Sequence, residues 1–231
     1  MNRLGIIGGL GPETSCNFCL SLNNKFRQIT DSQPDITLEN IPVSGKAEHD
    51  IINGDIGEEH FKLLSNAVKR LNRSGVDFIV VPCNKVHAFI NELRNLSKKP
   101  ILSIVEVCGE ECERLGFSKV GLLGSTKTIT DRLHSNELKR RGIESIFPEE
   151  KAQKKISKII IKIIHNTANK NDILFLHKTI TDFKERGAQA VVLACTDLPL
   201  IISKRDSCLP IINTLEILEN SSVNCMLGRR S

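Results

Sequence analysis

Apolar residues along this chain gather in short unbroken runs rather than in strict alternation. In the first half the runs are Leu4–Ile7, Ile36–Leu38, Phe78–Val81 and Ile101–Ile104. In the second they are Val120–Leu123, Ser145–Phe147, Ala190–Leu193 and Pro210–Ile212. A strand with one wet face alternates; a short continuous apolar run predicts a strand covered on both faces, as in a parallel sheet. Longer stretches with helical spacing lie between the runs. "FKLLSNAVKRLNRSG" puts Phe61, Leu64, Val68 and Leu71 on one face and stops at Gly75, a helix-end signal. "ITDRLHSNELKRRG" and "ILFLHKTITDFKERG" follow the same pattern before Gly142 and Gly187. Strand and helix alternate throughout, which predicts an α/β fold with a doubly wound parallel sheet in each half.

The halves repeat each other. "LGIIGGLGPET" at 4–14 corresponds to "VGLLGSTKTIT" at 120–130, "SGVDFIVVPCN" at 74–84 to "RGAQAVVLACT" at 186–196, and "KPILSIVE" at 99–106 to "LPIINTLE" at 209–216. The displacement stays near about 110 residues, an ordinary domain size. Three blocks matched in one order imply an ancestral duplication. Two pseudo-symmetric domains are expected: residues 1–104, completed by a C-terminal helix over 214–231, and residues 105–213.

Ligands of such folds bind beyond the carboxyl ends of the strands. Cys83 and Cys195 stand there at matched places, each after an apolar run, as do the loops Gly8–Thr14 and Gly124–Thr128. If the halves face each other about a pseudo-twofold axis, the two thiols meet across one cleft. A lone cysteine at a strand end is as often a buried filler as a functional group. Two at equivalent places in a repeat favour chemistry.

Composition narrows the classes. The 231 residues carry a formal charge of +5, with no Trp and no Tyr. The densest basic cluster, Lys151 to Lys162, alternates lysine with isoleucine at helical spacing, so a solvated helix face is expected rather than a nucleic-acid surface. No aromatic platform for stacking bases is present. No segment has the length to span a bilayer, and the opening apolar run is broken at once by Gly8, Gly9 and Gly11, unlike a signal peptide. A cytoplasmic location is expected, with the eight cysteines reduced. Cys16/Cys19 and Cys108/Cys112 lack a second pair or histidines in register, and His87 and His134 stand apart, so no metal site is expected. The glycine loop does not satisfy G-x-G-x-x-G, and "GSTKT" lacks P-loop spacing.

Two thiols on opposite faces of one carbon suit racemisation or epimerisation beside a carboxylate. One removes the α-proton as thiolate and the other returns a proton from the far side. A free cysteine titrates near about 8.5, and the start of a helix favours its thiolate. Apparent helices follow both residues, in "NKVHAFINELRN" and "TDLPLIISKR". No Schiff-base lysine or pyridoxal motif is present, so no cofactor is expected. Asn84 and Thr196 can donate to a substrate carboxylate. Ser125 and Thr126, with backbone N–H groups of their loop, are expected to form an anion cradle that also stabilises an enediolate-like transition state. His87 has two open readings: bracing a helix end or touching substrate.

These residues resemble those of the aspartate/glutamate racemase family of cofactor-independent amino-acid racemases. "GIIGGLGPETS" resembles its G-G-x-G-P start, "PCNKVHAF" its P-C-N-T-x-H block, "GLLGSTKTI" its G-T-x-x-T loop and "ACTDLPL" its G-C-T-E-L block. The resemblance spans nearly the whole chain, and the paired cysteine blocks are its specific part. It implies two α/β domains, an active site between them, Cys83 and Cys195 as the acid/base pair, a small-molecule amino-acid substrate and a homodimer. Asn84, Thr126 and Thr196 would hold the α-carboxylate, with Gly11, Ser125 and Thr128 lining the same site. Several places depart from the pattern. Lys85 replaces the usual threonine, with four open readings: pairing with a substrate carboxylate, holding Cys83 as thiolate, crowding the site or pointing to solvent. Asp197 replaces glutamate. The family's P-D-R-T arginine is missing from "IPVSGKAEH", where Lys46 is the nearest cation. Asn213 and Leu218 stand where Asp and His are common. Aspartate or glutamate is the expected substrate; a hydantoin or larger amino-acid derivative, or binding without turnover, are the alternatives.

Overall fold

The structure is a computed structural model and describes residues 1–205 and 207–229. The chain forms two compact units, one of Met1–Val107 with Leu215–Ser231 and one of Cys108–Thr214. The last two positions of the C-terminal helix expected over 214–231 lie outside the described residues.

In the first unit the chain runs β1 (Leu4–Gly8), α1 (Pro12–Thr30), β2 (Ile36–Asn40), α2 (Gly45–Asn53), α3 (Glu58–Leu71) and β3 (Phe78–Val80). A 3-10 turn (Lys85–Phe89), α4 (Ile90–Leu96), β4 (Ile101–Leu102) and the start of α5 (Ile104–Arg114) follow. The second unit continues with β5 (Lys119–Leu123), α6 (Thr126–Thr130), α7 (Leu133–Arg140), β6 (Glu144–Ile146), α8 (Glu150–Ile164), α9 (Lys170–Glu185) and β7 (Ala190–Leu193). A short 3-10 turn (Leu198–Leu200) leads to β8 (Ile211–Asn213), and α10 (Thr214–Met226) returns the chain to the first unit.

Each unit holds one parallel four-stranded sheet, ordered β2-β1-β3-β4 and β6-β5-β7-β8. The α/β expectation holds, and so does the repeat, since the two orders are the same permutation. The continuous runs are covered strands: β1, β3 and β7 are buried at every position. Matched glycines make room for that cover. A Cβ on Gly5 would lie 3.2 Å from Leu71, and one on Gly121 only 2.2 Å from the Phe183 ring. Each helix therefore packs directly on the strand backbone.

Three boundaries differ from the sequence reading. The helix expected over 129–142 is split, because Arg132 takes a left-handed backbone (φ 55°) between α6 and α7. Ile104, read as the end of a strand, opens α5 instead. The helix expected after Cys195 is a single 3-10 turn containing Pro199, which has no N–H to continue a ladder. The lysine-rich segment forms α8 with Ile156, Ile159, Ile160 and Ile163 buried. Lys154 pairs with Glu150, Lys162 with Asp172, and Lys155 lies over Phe175. These charges serve the helix's own neighbourhood. Among the described residues no helix is long and apolar enough to cross a membrane.

A buried imidazole joins the end of β3 to the start of α5. His87 Nε2 accepts the Ile104 N–H at 3.2 Å, so Nδ1 carries the proton and donates to the Cys83 carbonyl at 2.8 Å. Arg94 frames the same corner, gripping Glu106 through two 2.6 Å bonds and donating to the Ile101 carbonyl. Burial dominates the titration of His87 and lowers it to about 4, against the opposing bond to the Cys83 carbonyl, with Arg94 lowering it further and Glu106 raising it. The folded protein thus keeps His87 neutral down to about pH 4, whereas the unfolded chain takes up this proton near 6.5. Between those values the unfolded state binds more protons, so stability is full above the window and falls as pH falls through it. The penalty approaches roughly 3 kcal/mol at the acid end. In urea unfolding from pH 7 to pH 4, His87→Asn is expected to lose less stability than the parent by about 2–3 kcal/mol. Equal losses would show that another group supplies the pH dependence.

Candidate functional site

In each unit the chemistry-bearing residues gather at the carboxyl ends of the two central strands. In the first, β1 ends at Gly8 and the chain folds back at Gly9 (φ 94°) and Gly11 (φ 95°). A Cβ on Gly9 would lie 2.4 Å from the Ile41 carbonyl oxygen, so only glycine fits there. The Ser15 hydroxyl accepts from Gly9 N–H at 3.2 Å and donates to the Gly11 carbonyl at 3.0 Å, pinning the loop to the first turn of α1. Gly11 itself is exposed at the N-terminus of α1, where Pro12 starts the helix.

Cys83 lies beyond β3, after Val81 and Pro82. Its N–H bonds back to the Val81 carbonyl at 2.8 Å, a tight turn that brings the thiol off the strand axis. The residue is 8% exposed and packs within the apolar core of its unit. Asn84 is buried beside it, and its carbonyl accepts from His87 N–H at 3.1 Å. The turn thus rests on His87 through two consecutive carbonyls, and of the two open readings His87 takes the bracing one. Lys85 is buried as well, and its ammonium donates to the carbonyls of Ile51 at 2.5 Å and Ile52 at 3.2 Å. Lys46 is exposed in the first turn of α2.

The second unit repeats the plan. Cys195, also 8% exposed, stands two residues beyond β7, after Ala194. Ala194 N–H donates to the Leu123 carbonyl at 2.7 Å, extending the β5–β7 ladder to the foot of the thiol. Cys195 Sγ lies 3.5 Å from Asp197 Oδ2, within reach of a thiol-to-carboxylate hydrogen bond. Thr196 is half-buried beside it. The buried Thr214 hydroxyl donates to the Leu193 carbonyl at 2.9 Å, fixing the end of β7 from the chain that follows β8. Asn213 ends β8 opposite Leu193, and Leu218 is buried on α10.

The loop after β5 is more fully engaged than expected. Ser125 caps the single-turn helix α6, its Oγ accepting from Thr128 N–H at 3.3 Å and lying 3.0 Å from Thr128 Oγ1. Thr126 N–H donates to Ser157 Oγ at 2.9 Å, and the two hydroxyls lie 2.8 Å apart. Two backbone donors of that loop, the Thr126 and Thr128 N–H groups, therefore already have acceptors. Either hydroxyl of the Thr126–Ser157 pair can donate to the other. Gln153, one turn earlier on α8, is buried and donates Nε2 to the Gly124 carbonyl at 2.9 Å. Gln153 and Ser157 thus hold Gly124–Thr126 from behind at two points. Sequence reading missed this pair. The available signal was two polar residues four apart among the apolar positions of an otherwise lysine- and isoleucine-patterned helix.

Other cysteines differ in kind. Cys108 and Cys112 are fully buried a turn apart on α5, and the bond to Cys112, with burial, pushes the Cys108 thiol well up. A thiol held protonated in an apolar helix interface is a filler. Cys83 and Cys195 instead sit at strand ends, each on a short turn.

The fold recurs in known proteins. The family model Asp/Glu/Hydantoin racemase matches residues 7–220. The broad specificity amino-acid racemase RacX of Bacillus subtilis (strain 168) is 26% identical over 99% of this chain and 100% of its own length. A solved structure from Yersinia pestis superposes with a TM-score of 0.89 over 98% of this chain and 100% of that one, at 24% identity, a likeness of fold. The aspartate racemase of Picrophilus torridus gives a TM-score of 0.79 at 25% identity, covering 99% of this chain and 95% of that one. With the family model spanning both units and both cysteine turns, this chain belongs to the Asp/Glu/Hydantoin racemase family.

Proposed function

We propose that this chain inverts the α-carbon of a free amino acid, aspartate or glutamate first, by proton transfer between Cys83 and Cys195 without a cofactor. The observation that carries the reading is the equivalence of the two thiols. Each follows the third strand of the same four-strand order, on a short turn just past the ladder. Racemisation needs two such groups, since a proton must leave one face of the carbon and arrive on the other.

In one direction the Cys83 thiolate takes the α-proton while the Cys195 thiol gives its own to the opposite face. At the end Cys83 is the thiol and Cys195 the thiolate, which is the starting state for the reverse direction. Asp197, 3.5 Å from Cys195 Sγ, orients the thiol at the end of its turn. Removing the α-proton throws negative charge onto the substrate carboxylate. Donors from Asn84, Thr126 and Thr196 answer that charge, with Gly11, Ser125 and Thr128 shaping the loops that present them. Gln153 and Ser157 act behind Thr126 as positioning residues.

A second reading takes a broader range of α-carbon acids. It is favoured by the commitment of the Lys85 ammonium to backbone carbonyls and by the exposure of Lys46, which leave these two cations poorly suited to a distal carboxylate. The amino-acid range of the Bacillus subtilis relative points the same way.

Three outcomes test the proposal. Incubated in deuterated water with single enantiomers of a panel of amino acids, the protein is expected to wash deuterium into the α-position of its substrate, seen by NMR, with no loss of rate on adding chelators or carbonyl reagents. Cys83→Ala and Cys195→Ala are each expected to lower racemisation by about 10²–10⁴-fold, followed by chiral chromatography; parent-like inversion by either variant would sink the two-thiol mechanism. Ser157→Ala, which frees the Thr126 N–H, is expected to cost about 1–2 kcal/mol in kcat/KM, roughly five- to thirty-fold, with the folded state retained by circular dichroism.

A further inference from the structure

A charged side chain only 9% exposed stands two residues after Cys83, and its charge is directed away from solvent. Lys85 Nζ reaches the last turn of α2, donating to the Ile51 and Ile52 carbonyls. Carbonyls at a helix C-terminus lack the usual i+4 partners and carry the negative end of the helix dipole; that of Ile51 also accepts the capping Gly54 N–H at 3.0 Å. A buried ammonium suits them, and they in turn satisfy an ammonium that burial would otherwise destabilise. The threonine of the family pattern has no long stem and would not span this gap.

The helix needs an outside anchor. Of the nine residues of α2 only Ala47 is buried, with Ile51 packing partly buried against the core of the unit. At its other end His60 supplies a second tether. His60 Nδ1 accepts the Gly57 N–H at 3.1 Å, which leaves the proton on Nε2, and Nε2 donates to the Ala47 carbonyl at 2.9 Å. Both ends of α2 are thus held by polar donors from outside it. One of those donors belongs to the turn that carries Cys83 and Asn84.

We propose that Lys85 is a positioning residue. Its ammonium clamps the C-terminal end of α2 to the Cys83–Asn84 turn, so that α2 and residues 41–44, which lead into it, stay fixed relative to the thiol. The Cys83 backbone has its own support in His87, so removing the ammonium releases the helix and leaves the thiol in place. Loss of the clamp therefore weakens substrate binding more than chemistry. The kinetic part of this inference rests on the racemase reading; the mechanical part does not.

The test compares Lys85→Met, which keeps the stem and drops the charge, with Lys85→Arg. Amide hydrogen exchange is expected to rise at least about tenfold at Gly54 and Asp55, whose N–H groups close the end of α2. Ile79 and Val191 in the sheets should stay unchanged, and the arginine variant should restore most of the protection. On the amino acid that turns over, KM is expected to rise about tenfold in Lys85→Met with kcat within about threefold. Unchanged exchange at the end of α2 would overturn the clamp. Raised exchange with unaltered KM would overturn the positioning role. If no amino acid turns over in the parent, the racemase reading fails while the exchange measurement still decides the clamp. Should the methionine variant not fold, the parent itself provides the answer: a slowly exchanging Lys85 ammonium signal with cross-peaks to α2 is expected, and its absence would overturn the proposal.

Discussion

A parallel strand buried on both faces leaves no room for polar chemistry along its length. Every position of β1, β3 and β7 is taken up by packing, down to glycines pressed by Leu71 and Phe183. Polar and titratable side chains are therefore pushed to the first residues beyond the ladder, where the backbone turns. Cys83 and Cys195 occupy that position in their units. The strands supply the rigidity, and the turns after them supply the direction in which each thiol points.

Those turns are short, and a short turn cannot hold itself. Polar side chains from neighbouring elements brace them and the loop after β5. His87, neutral and buried, ties the Cys83 and Asn84 carbonyls to the start of α5. Gln153 and Ser157 hold the loop after β5 from α8, and Thr214 holds the end of β7. A donor held in a hydrogen bond specifies geometry better than an apolar contact, because moving it leaves a polar group unpaired; Gln153 does this through its Nε2 alone, its buried Oε1 having no partner among the described residues. This is the physical reason that a set of ordinary-looking polar residues matters to the site.

The duplication also shows where the halves have parted. The first unit keeps its turn with an imidazole and a buried ammonium; the second places a carboxylate beside the thiol. Each solution suits its own surroundings. The 3-10 turn after Cys195 is only three residues long and contains Pro199, so it presents a small dipole, and Asp197 provides a proton acceptor there. After Cys83 a five-residue 3-10 turn continues into α4.

The strands, the alternation, the repeat and the two cysteine turns were legible in the residues alone, because burial on both faces writes a continuous apolar run and strand-end loops write glycine and small polar residues. Position relative to a strand end follows directly from such patterns. The direction of a side chain does not. That Lys85 turns to the carbonyls of α2, that His87 braces rather than faces outward, and that Ser157 occupies the Thr126 N–H all depend on elements distant in sequence arriving beside these residues. Periodicity fixes which face of a helix is buried; only the packed tertiary structure decides which polar atom on that face finds a partner, since a hydrogen bond requires two groups brought within about 3 Å of each other by the rest of the chain.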